Sequence, residues 1–215
     1  MIGCSMWKAL LFMVLLLVAA SAADRPNIIF LFADDQRADT IGAHGNPHIQ
    51  TPNLDQLSAE GFSFKRNYCA GSFSGAVCVA SRAMLMTGRH WMRIPGKKVA
   101  SDWKTLPLLP SRLASKASYQ TFIVGKWHNG RETLQQAFTS GQSVYMGGMA
   151  NHADFVVQDL TDGQLSPKRS AGGFSSTIFA DAAIKYIETA DTQNPFFLYV
   201  AFMAPHCALG LVGHP

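Results

Sequence analysis

Two adjacent carboxylates, Asp34 and Asp35, directly follow a short apolar run, N-I-I-F-L-F, at residues 27–32. Adjacent side chains of a regular strand point to opposite faces, so both carboxylates reach one ion only where a strand gives way to a loop. The end of this run is such a place. Carboxylate oxygens suit Ca²⁺ or Mg²⁺ as ligands. The pair therefore indicates either a site for a hard divalent metal or a solvated turn with a helix cap.

A second candidate is the segment C-V-A-S-R at residues 78–82, which M-T-G-R follows at residues 86–89. The residues after Cys78 favour a helix, so the cysteine stands near unpaired backbone N–H groups and the positive end of a helix dipole. Arg82 lies about one turn further along the same helix face, where it can hydrogen-bond an oxyanion. On spacing alone, a disulfide between Cys69 and Cys78, or a buried thiol, is favoured over an anion site.

The elements that must position these residues alternate between strands and helices. Short apolar runs predict strands, of which the first and last are expected to be buried on both faces, at residues 27–32, 63–68, 119–124 and 195–203. Helices are predicted at residues 52–60, 106–115 and 174–190. For the helix at 52–60, Thr51 is the expected N-cap, Pro52 the first helical residue and Gly61 the residue after its end. This alternation predicts an α/β fold with a largely parallel sheet, in which ligands bind beyond the carboxyl ends of the strands.

The composition of the 215 residues is that of a globular protein, with 48% hydrophobic and 11% aromatic residues. A net charge of +4 without a run of Lys and Arg gives no support for nucleic-acid binding. Lys8, the apolar run 9–20 and the small residues at 20–23 predict a secretory signal peptide over residues 1–23. The run is short for a stable membrane span, and an uncleaved anchor is the alternative. The mature protein is therefore expected to be secreted or periplasmic.

Removal of the signal peptide leaves three cysteines, Cys69, Cys78 and Cys207. An odd number in an oxidising compartment allows one disulfide and leaves one cysteine for another role. Cys207 is expected either to pair with Cys69 or to stay free.

Five short segments together resemble the sulfatase family of the alkaline phosphatase superfamily. They are R-P-N-I-I-F-L-F-A-D-D at 25–35, T-P-N-L-D-Q-L-S-A-E-G at 51–61, C-V-A-S-R with M-T-G-R at 78–89, G-K-W-H at 125–128 and A-P-H at 204–206. Each is weak alone, but they occur in the family's order and cover most of the mature chain. The resemblance implies an alkaline phosphatase-like α/β/α sandwich with a mixed, largely parallel sheet. It also implies that residues 24–215 are the N-terminal portion of a sulfatase catalytic domain, incomplete at the C-terminus.

The resemblance further implies a metal and a modified nucleophile. Asp34 and Asp35 match two ligands of a divalent metal, Ca²⁺ or Mg²⁺, so replacing either is expected to abolish turnover with the fold largely intact. Cys78 matches the cysteine that a formylglycine-generating enzyme oxidises, and the hydrated aldehyde both attacks the substrate and contacts the metal. Arg82 matches the residue that holds the formylglycine. One departure concerns Ala80, because the family's motif has Pro at this position.

The sulfate-binding residues implied by the resemblance lie later in the chain. Lys126 and His128 match groups that bind the sulfate, and the histidine also assists the aldehyde chemistry. His206 matches a histidine near the leaving oxygen that serves as general acid. By contrast, Trp127 is interpreted as packing, and the remaining candidate histidines as loop residues, at positions 44, 48 and 152.

The family pattern also includes later parts: an Asp-Asn or Asp-His pair that completes the metal site, and a further lysine. Residues 24–215 alone are therefore expected to show no turnover. The strand before His206 is expected to lie inside a sheet whose remaining strands belong to the later parts, so that an apolar edge is left exposed. The implied reaction is hydrolysis of a sulfate ester of a carbohydrate or an aryl alcohol. A phosphatase or phosphonate hydrolase of the same superfamily, or a non-catalytic binding module, is the alternative.

Overall fold

The computed structural model describes residues 25–72, 75, 77–95, 103 and 105–206. The predicted signal peptide at residues 1–23, and Cys207, lie outside the described residues. None of the helices in the described part of the chain has the length and apolar character needed to cross a membrane.

Helices and strands alternate along the described chain. The helices are α1 Pro52–Glu60, α2 Val77–Thr87, α3 Leu109–Ala117, α4 Arg131–Ala137 and α5 Ser175–Thr189. The strands are β1 Ile28–Asp34, β2 Gln120–Lys126, β3 Ser140–Tyr145, β4 Val156–Thr161, β5 Gln164–Leu165, β6 Arg169–Ser170 and β7 Phe196–Pro205. Short 3₁₀ turns occur at Gly42–His44 and Trp91–Arg93.

The strands form one mixed sheet in the order β1-β7-β2-β3-β4-β5, with β6 also paired to β4. β1, β7, β2 and β3 are parallel, and the pairs that involve β4 are antiparallel. This confirms the predicted α/β fold with a largely parallel sheet. Because β1, β7 and β2 are parallel neighbours, their carboxyl ends meet at the same edge of the sheet.

Helices cover both faces of the sheet. On β7, Phe197 and Tyr199 point into a core shared with α2, α3 and α4, whereas Leu198 and Val200 point into a core shared with α5. Phe179 of α5 is fully buried in the second core. Since successive side chains of a strand alternate between faces, one buried strand serves both layers, and the predicted α/β/α sandwich is confirmed.

The prediction of burial on both faces is correct for β7 and wrong for β1. Ile29 is 48% exposed and Leu31 is 57% exposed, because β1 forms the edge of the sheet and α5 packs on β7, β2 and β3 instead. β7, the strand before His206, lies inside the sheet between β1 and β2, as predicted, and the edge with exposed apolar side chains is β1.

The predicted strand at residues 63–68 is also wrong. This segment has no strand conformation, and the side chains of Phe62, Phe64 and Tyr68 are at least three-quarters exposed. A strand needs a neighbour that accepts its backbone hydrogen bonds, and none of the described strands pairs with this segment. The prediction rested on the aromatic and β-prone residue types of the segment, which do not show whether a neighbouring strand is present.

The three predicted helices are present. The bounds of α1 agree with the prediction, although the hydroxyl of Thr51 donates to Asp55 instead of capping a backbone N–H. α3 begins at Leu109, three residues later than predicted, with Pro110 in its first turn. The sequence reasoning missed α4 and the strands β3 to β6. β3, S-G-Q-S-V-Y, is polar for a strand and is buried only because β2 and β4 flank it.

A bulge near the end of β2 aims its last side chain. The register of β2 against β3 shifts between Val124 and Gly125. Gly125 has φ +89°, which favours glycine, and the carbonyl oxygen of Ala201 on β7 occupies the space that a Cβ would need. Because bulges redirect the side chain that follows them, Gly125 sets the direction of Lys126.

Replacing Gly125 with alanine is expected to lower the free energy of unfolding by about 3 kcal/mol, because the new methyl group adds steric overlap to a strained φ. Urea unfolding measures the loss. Gly163→Ala is the matched control, since Gly163 has φ +74° but no atom within 4 Å of an added Cβ. The control should lose only about 1 kcal/mol. Equal losses in the two variants would show that the close approach of β7 does not constrain this bulge.

Candidate active site

Asp34, the last residue of β1, is almost completely buried, with 4% of its surface exposed. Its Oδ2 accepts a hydrogen bond from Nζ of Lys126, and its Oδ1 lies 3.5 Å from Nη1 of Arg82. Both cationic side chains are 1% exposed. Because an unpaired charge is costly to bury, each of these three side chains depends on the others for its place in the interior.

Arg82 extends from α2 towards β1. Its Nη1 also donates to the carbonyl oxygen of Cys78 at 3.3 Å, and its guanidinium carbon lies 5.1 Å from the centre of the Phe32 ring, a cation–π contact. Its Nε and Nη2 atoms are buried without a hydrogen-bond partner in the described part of the chain. Buried N–H groups in proteins are normally satisfied, so these donors are available to an anionic ligand or to ordered water.

Cys78 is the second residue of α2, as the predicted helix start requires. Its Sγ lies 3.1 Å from Nδ1 of His128, which follows β2. The two residues come from separate elements, 50 positions apart in the chain. The helix start and the loop after β2 therefore bring a sulfur nucleophile and an imidazole into direct contact.

The loop that carries His128 is fixed on three sides. Trp127 is fully buried in the core, as predicted, and Nδ2 of Asn129 donates to the carbonyl oxygen of Val79 in α2 at 2.9 Å. On the third side, Gly148 packs so closely on the His128 ring that a Cβ would overlap it. These contacts hold the imidazole against the start of α2.

The pKa of His128 is lowered from 6.5 to about 4, first of all by burial. Charge repulsion from Lys126, Arg82 and His206 contributes to this lowering, and Asp34 opposes it. At neutral pH the imidazole is therefore uncharged, with one nitrogen free to accept a proton.

A cavity of about 430 Å³ opens where the carboxyl ends of β1 and β7 meet α2. Five of the predicted site residues line it: Asp34, Asp35, Cys78, Arg82 and His206. The other two, Lys126 and His128, contact Asp34 and Cys78 directly. The structure thus brings together all seven residues that the sequence singled out.

The carboxylates of Asp34 and Asp35 are of the type that binds a hard cation, but within the described residues they do not make a complete metal site. Asp34 and Asp35 line the cavity beside Cys78, and Asp35 reaches it with a left-handed φ of +60° at the strand end. Within the described residues, no group of three or more His, Cys, Asp or Glu side chains is placed to hold a metal. A six- to eight-coordinate ion such as Ca²⁺ needs further ligands.

The disulfide between Cys69 and Cys78, which spacing alone favoured, is not formed. Cys69 is an exposed free thiol on the wall of the same cavity. Cys207 lies outside the described residues, so its pairing stays a prediction.

Several residues that shape the site carried no recognisable signal in the sequence. Asn129 is fully buried, and Gly148 packs on His128, but neither stands in a motif. The only sequence signal that Asn129 belongs to the site was its position directly after G-K-W-H. His152, interpreted as a loop residue, does lie in a connection, yet its ring bonds to the backbone of His206.

The family model and the most similar proteins that we compared all point to one family. A sequence model of the family described as Sulfatase matches residues 26–209. The N-acetylglucosamine-6-O-sulfatase of Bacteroides thetaiotaomicron is 32% identical over 187 residues, which cover 85% of this chain and 31% of that protein. The N-acetylgalactosamine-6-sulfatase of Mus musculus is 31% identical over 221 residues, which cover 88% of this chain and 42% of that protein.

Solved structures show the same fold. A protein in complex with its substrate D-glucosamine-2-N,6-O-disulfate superposes with a TM-score of 0.70 at 31% identity, over 85% of this chain and 35% of that chain. A protein of the alkaline phosphatase superfamily from Vibrio parahaemolyticus gives a TM-score of 0.54 at 22% identity, over 85% of this chain and 41% of that chain. The second likeness shows the fold alone, and it confirms the expected alkaline phosphatase-like architecture.

The chain spans between about a third and two-fifths of the length of these two curated relatives. The family match nevertheless extends over most of the chain, from the strand that ends in Asp34 to the residues after β7. The chain belongs to the sulfatase family.

Proposed function

We propose that this protein hydrolyses sulfate monoesters of carbohydrates, with 6-O-sulfated hexosamines as the first class to test. The observation that carries the proposal is the contact of Cys78 with a neutral His128, beside a carboxylate held by two buried cations. Both curated relatives described above are named for a 6-sulfated amino sugar, which supports the choice of substrate class.

Two groups would complete the chemistry. Formylglycine, made from Cys78 by a formylglycine-generating enzyme, would supply as its hydrate the attacking hydroxyl and a route for releasing sulfate. A divalent cation, Ca²⁺ or alternatively Mg²⁺, would withdraw charge from the sulfate oxygens. Asp34 and Asp35 would hold this cation together with the modified residue 78. The two carboxylates that line the cavity fit such a cation, and the cation would need further ligands besides them.

The chain's own residues bind the sulfate and move protons. Lys126 and Arg82 place positive charge beside the position of the anionic group, where it favours the negative charge that spreads over the oxygens. His128 is uncharged at neutral pH and so accepts the proton of the hydroxyl at residue 78. His206, which also lines the cavity, donates a proton to the departing sugar oxygen.

The activity is assigned to the protein outside the cytoplasm. Residues 1–23 would direct secretion and be cleaved, and the formylglycine-generating enzyme would act on residues 78–82 before folding. Phosphate or phosphonate ester hydrolysis, the alternative from the sequence, has no specific observation in its favour.

Production with a formylglycine-generating enzyme is expected to convert Cys78 to an aldehyde. Trypsin releases residues 67–82, which contain both Cys69 and Cys78, so fragmentation in the mass spectrometer locates the modification. Ala80→Pro, which restores the family's motif, should convert at least as completely. Cys69→Ala should keep the aldehyde and Cys78→Ala should lack it. A thiol or a Cys69–Cys78 disulfide as the only product would refute the proposed nucleophile.

Replacement of Asp34 by asparagine should affect both stability and metal binding. The change leaves Lys126 and Arg82 buried without their carboxylate, at a cost of about 3 kcal/mol in the free energy of unfolding. Asp35→Asn is the matched control, because Asp35 is exposed and its loss should alter stability by at most about 0.5 kcal/mol. The sequence-based expectation that the fold stays largely intact therefore holds for the Asp35 variant only.

Both aspartate variants should bind Ca²⁺ more weakly than the parent chain in calorimetric titration, since each loses one ligand. Unchanged Ca²⁺ affinity in either variant would remove that residue from the proposed metal site. Equal stability of the two variants would contradict the structural role given to Asp34.

Titration of His128 tests the electrostatics of the site. In the unmodified, metal-free chain, its ring signals in NMR should change at a pH of about 4, and not near 6.5. Between these values the unfolded chain binds more protons than the folded one, so the free energy of unfolding should fall as pH drops through this window. His128→Gln should identify the signals and remove this part of the pH dependence. A midpoint near 6.5 would show that the imidazole is not kept neutral by its surroundings.

A further inference from the structure

His152 lies between β3 and β4 and joins two other elements through its ring. Its Nδ1 lies 2.7 Å from Oγ of Ser175, the first residue of α5. Its Nε2 lies 2.9 Å from the carbonyl oxygen of His206, which directly follows β7. The ring also stacks on Phe174, with the ring centres 5.5 Å apart. One side chain therefore connects the β3–β4 loop, the start of α5 and the end of β7.

The partners fix which nitrogen carries the proton. A carbonyl oxygen only accepts, so Nε2 of His152 must be the donor to His206. In the neutral ring Nδ1 is then the acceptor, and it takes the hydrogen of the Ser175 hydroxyl. Ser175 is fully buried, and its backbone N–H donates to the carbonyl oxygen of His152 at 2.8 Å. All these hydrogen-bonding groups are satisfied by this one arrangement.

His206 depends on its backbone for its position. Its ring lines the candidate cavity but makes no hydrogen bond within the described part of the chain. The bond from His152 holds its carbonyl oxygen, next to the point where the described chain ends. A shift of this backbone would move the imidazole relative to Asp34 and Cys78, which line the same cavity.

We propose that His152 is a positioning residue that holds His206 in place to contact the sulfate group. The inference rests on the proposed function, in which His206 binds the sulfate and protonates the leaving oxygen. His152 does not touch the substrate. It acts through the backbone of His206, and Ser175 orients it.

The test follows inorganic sulfate binding to the full chain by NMR, through the ring signals of His206, which a His206→Gln variant identifies. His152→Gln and His152→Met are both uncharged and similar in length, but only the glutamine side chain has a donor for the carbonyl oxygen. We expect His152→Met to bind sulfate about fivefold more weakly, the effect of one lost hydrogen bond, and His152→Gln to bind within about twofold of the parent. Thermal unfolding of each variant is measured in parallel.

His44→Ala is the matched control. His44 also bonds a serine hydroxyl, that of Ser63, and a backbone carbonyl, that of Ala38, but neither partner lines the cavity. Its loss should lower thermal stability without changing sulfate affinity.

Each outcome decides the inference. Weaker binding in His152→Met alone supports it. Equal sulfate affinity in the glutamine and methionine variants, or an equal loss in the His44 control, overturns the positioning role and leaves the proposed function standing. If sulfate does not perturb His206 in the parent chain, the sulfate-binding role of His206 is wrong, and the inference falls with it.

Discussion

The buried contact of Asp34 with Lys126 and Arg82 is the constraint on which the rest of the structure depends. It joins the carboxyl ends of β1 and β2 to helix α2. β1 and β2 are not neighbours, since β7 lies between them, so these side chains bridge across the end of the central strand. A carboxylate and two cations are stable in the interior only together. The network therefore holds the ends of β1 and β2 against the middle of α2, beside the cavity.

The same charges that hold Asp34 also determine the chemistry of the neighbouring residues. Lys126 and Arg82 add to the effect of burial in keeping His128 neutral, and the neutral ring contacts Cys78. The cations thus have two effects: they favour an anion in the cavity, and they keep the ring beside Cys78 able to accept a proton. Since such a buried network contributes little net stability, its presence in the interior is better explained by function than by folding.

The sequence predicted the residues of the site better than the elements around it. Asp34, Cys78 and His206 stand in short motifs with a family order, so their proximity was predictable. The strand at 63–68 was not formed, because a strand depends on a neighbour that local residue types do not specify. β1 was expected to be buried on both faces, but it lies at the sheet edge and α5 packs on other strands. The residue types of β1 do not specify either of these facts. His152 acts through a backbone carbonyl 54 positions away, a contact that no local pattern records.

The most direct test of the account is the rate of ester hydrolysis with two substrates that share one alcohol. N-acetylglucosamine 6-sulfate and N-acetylglucosamine 6-phosphate are assayed with aldehyde-bearing, Ca²⁺-loaded protein, both as residues 24–215 and within a longer protein that contains this region. If the protein is a sulfate ester hydrolase as proposed, the longer protein should release sulfate much faster than phosphate. Residues 24–215 alone should release neither. Faster release of phosphate, or equal sulfate release by the two proteins, would contradict the account.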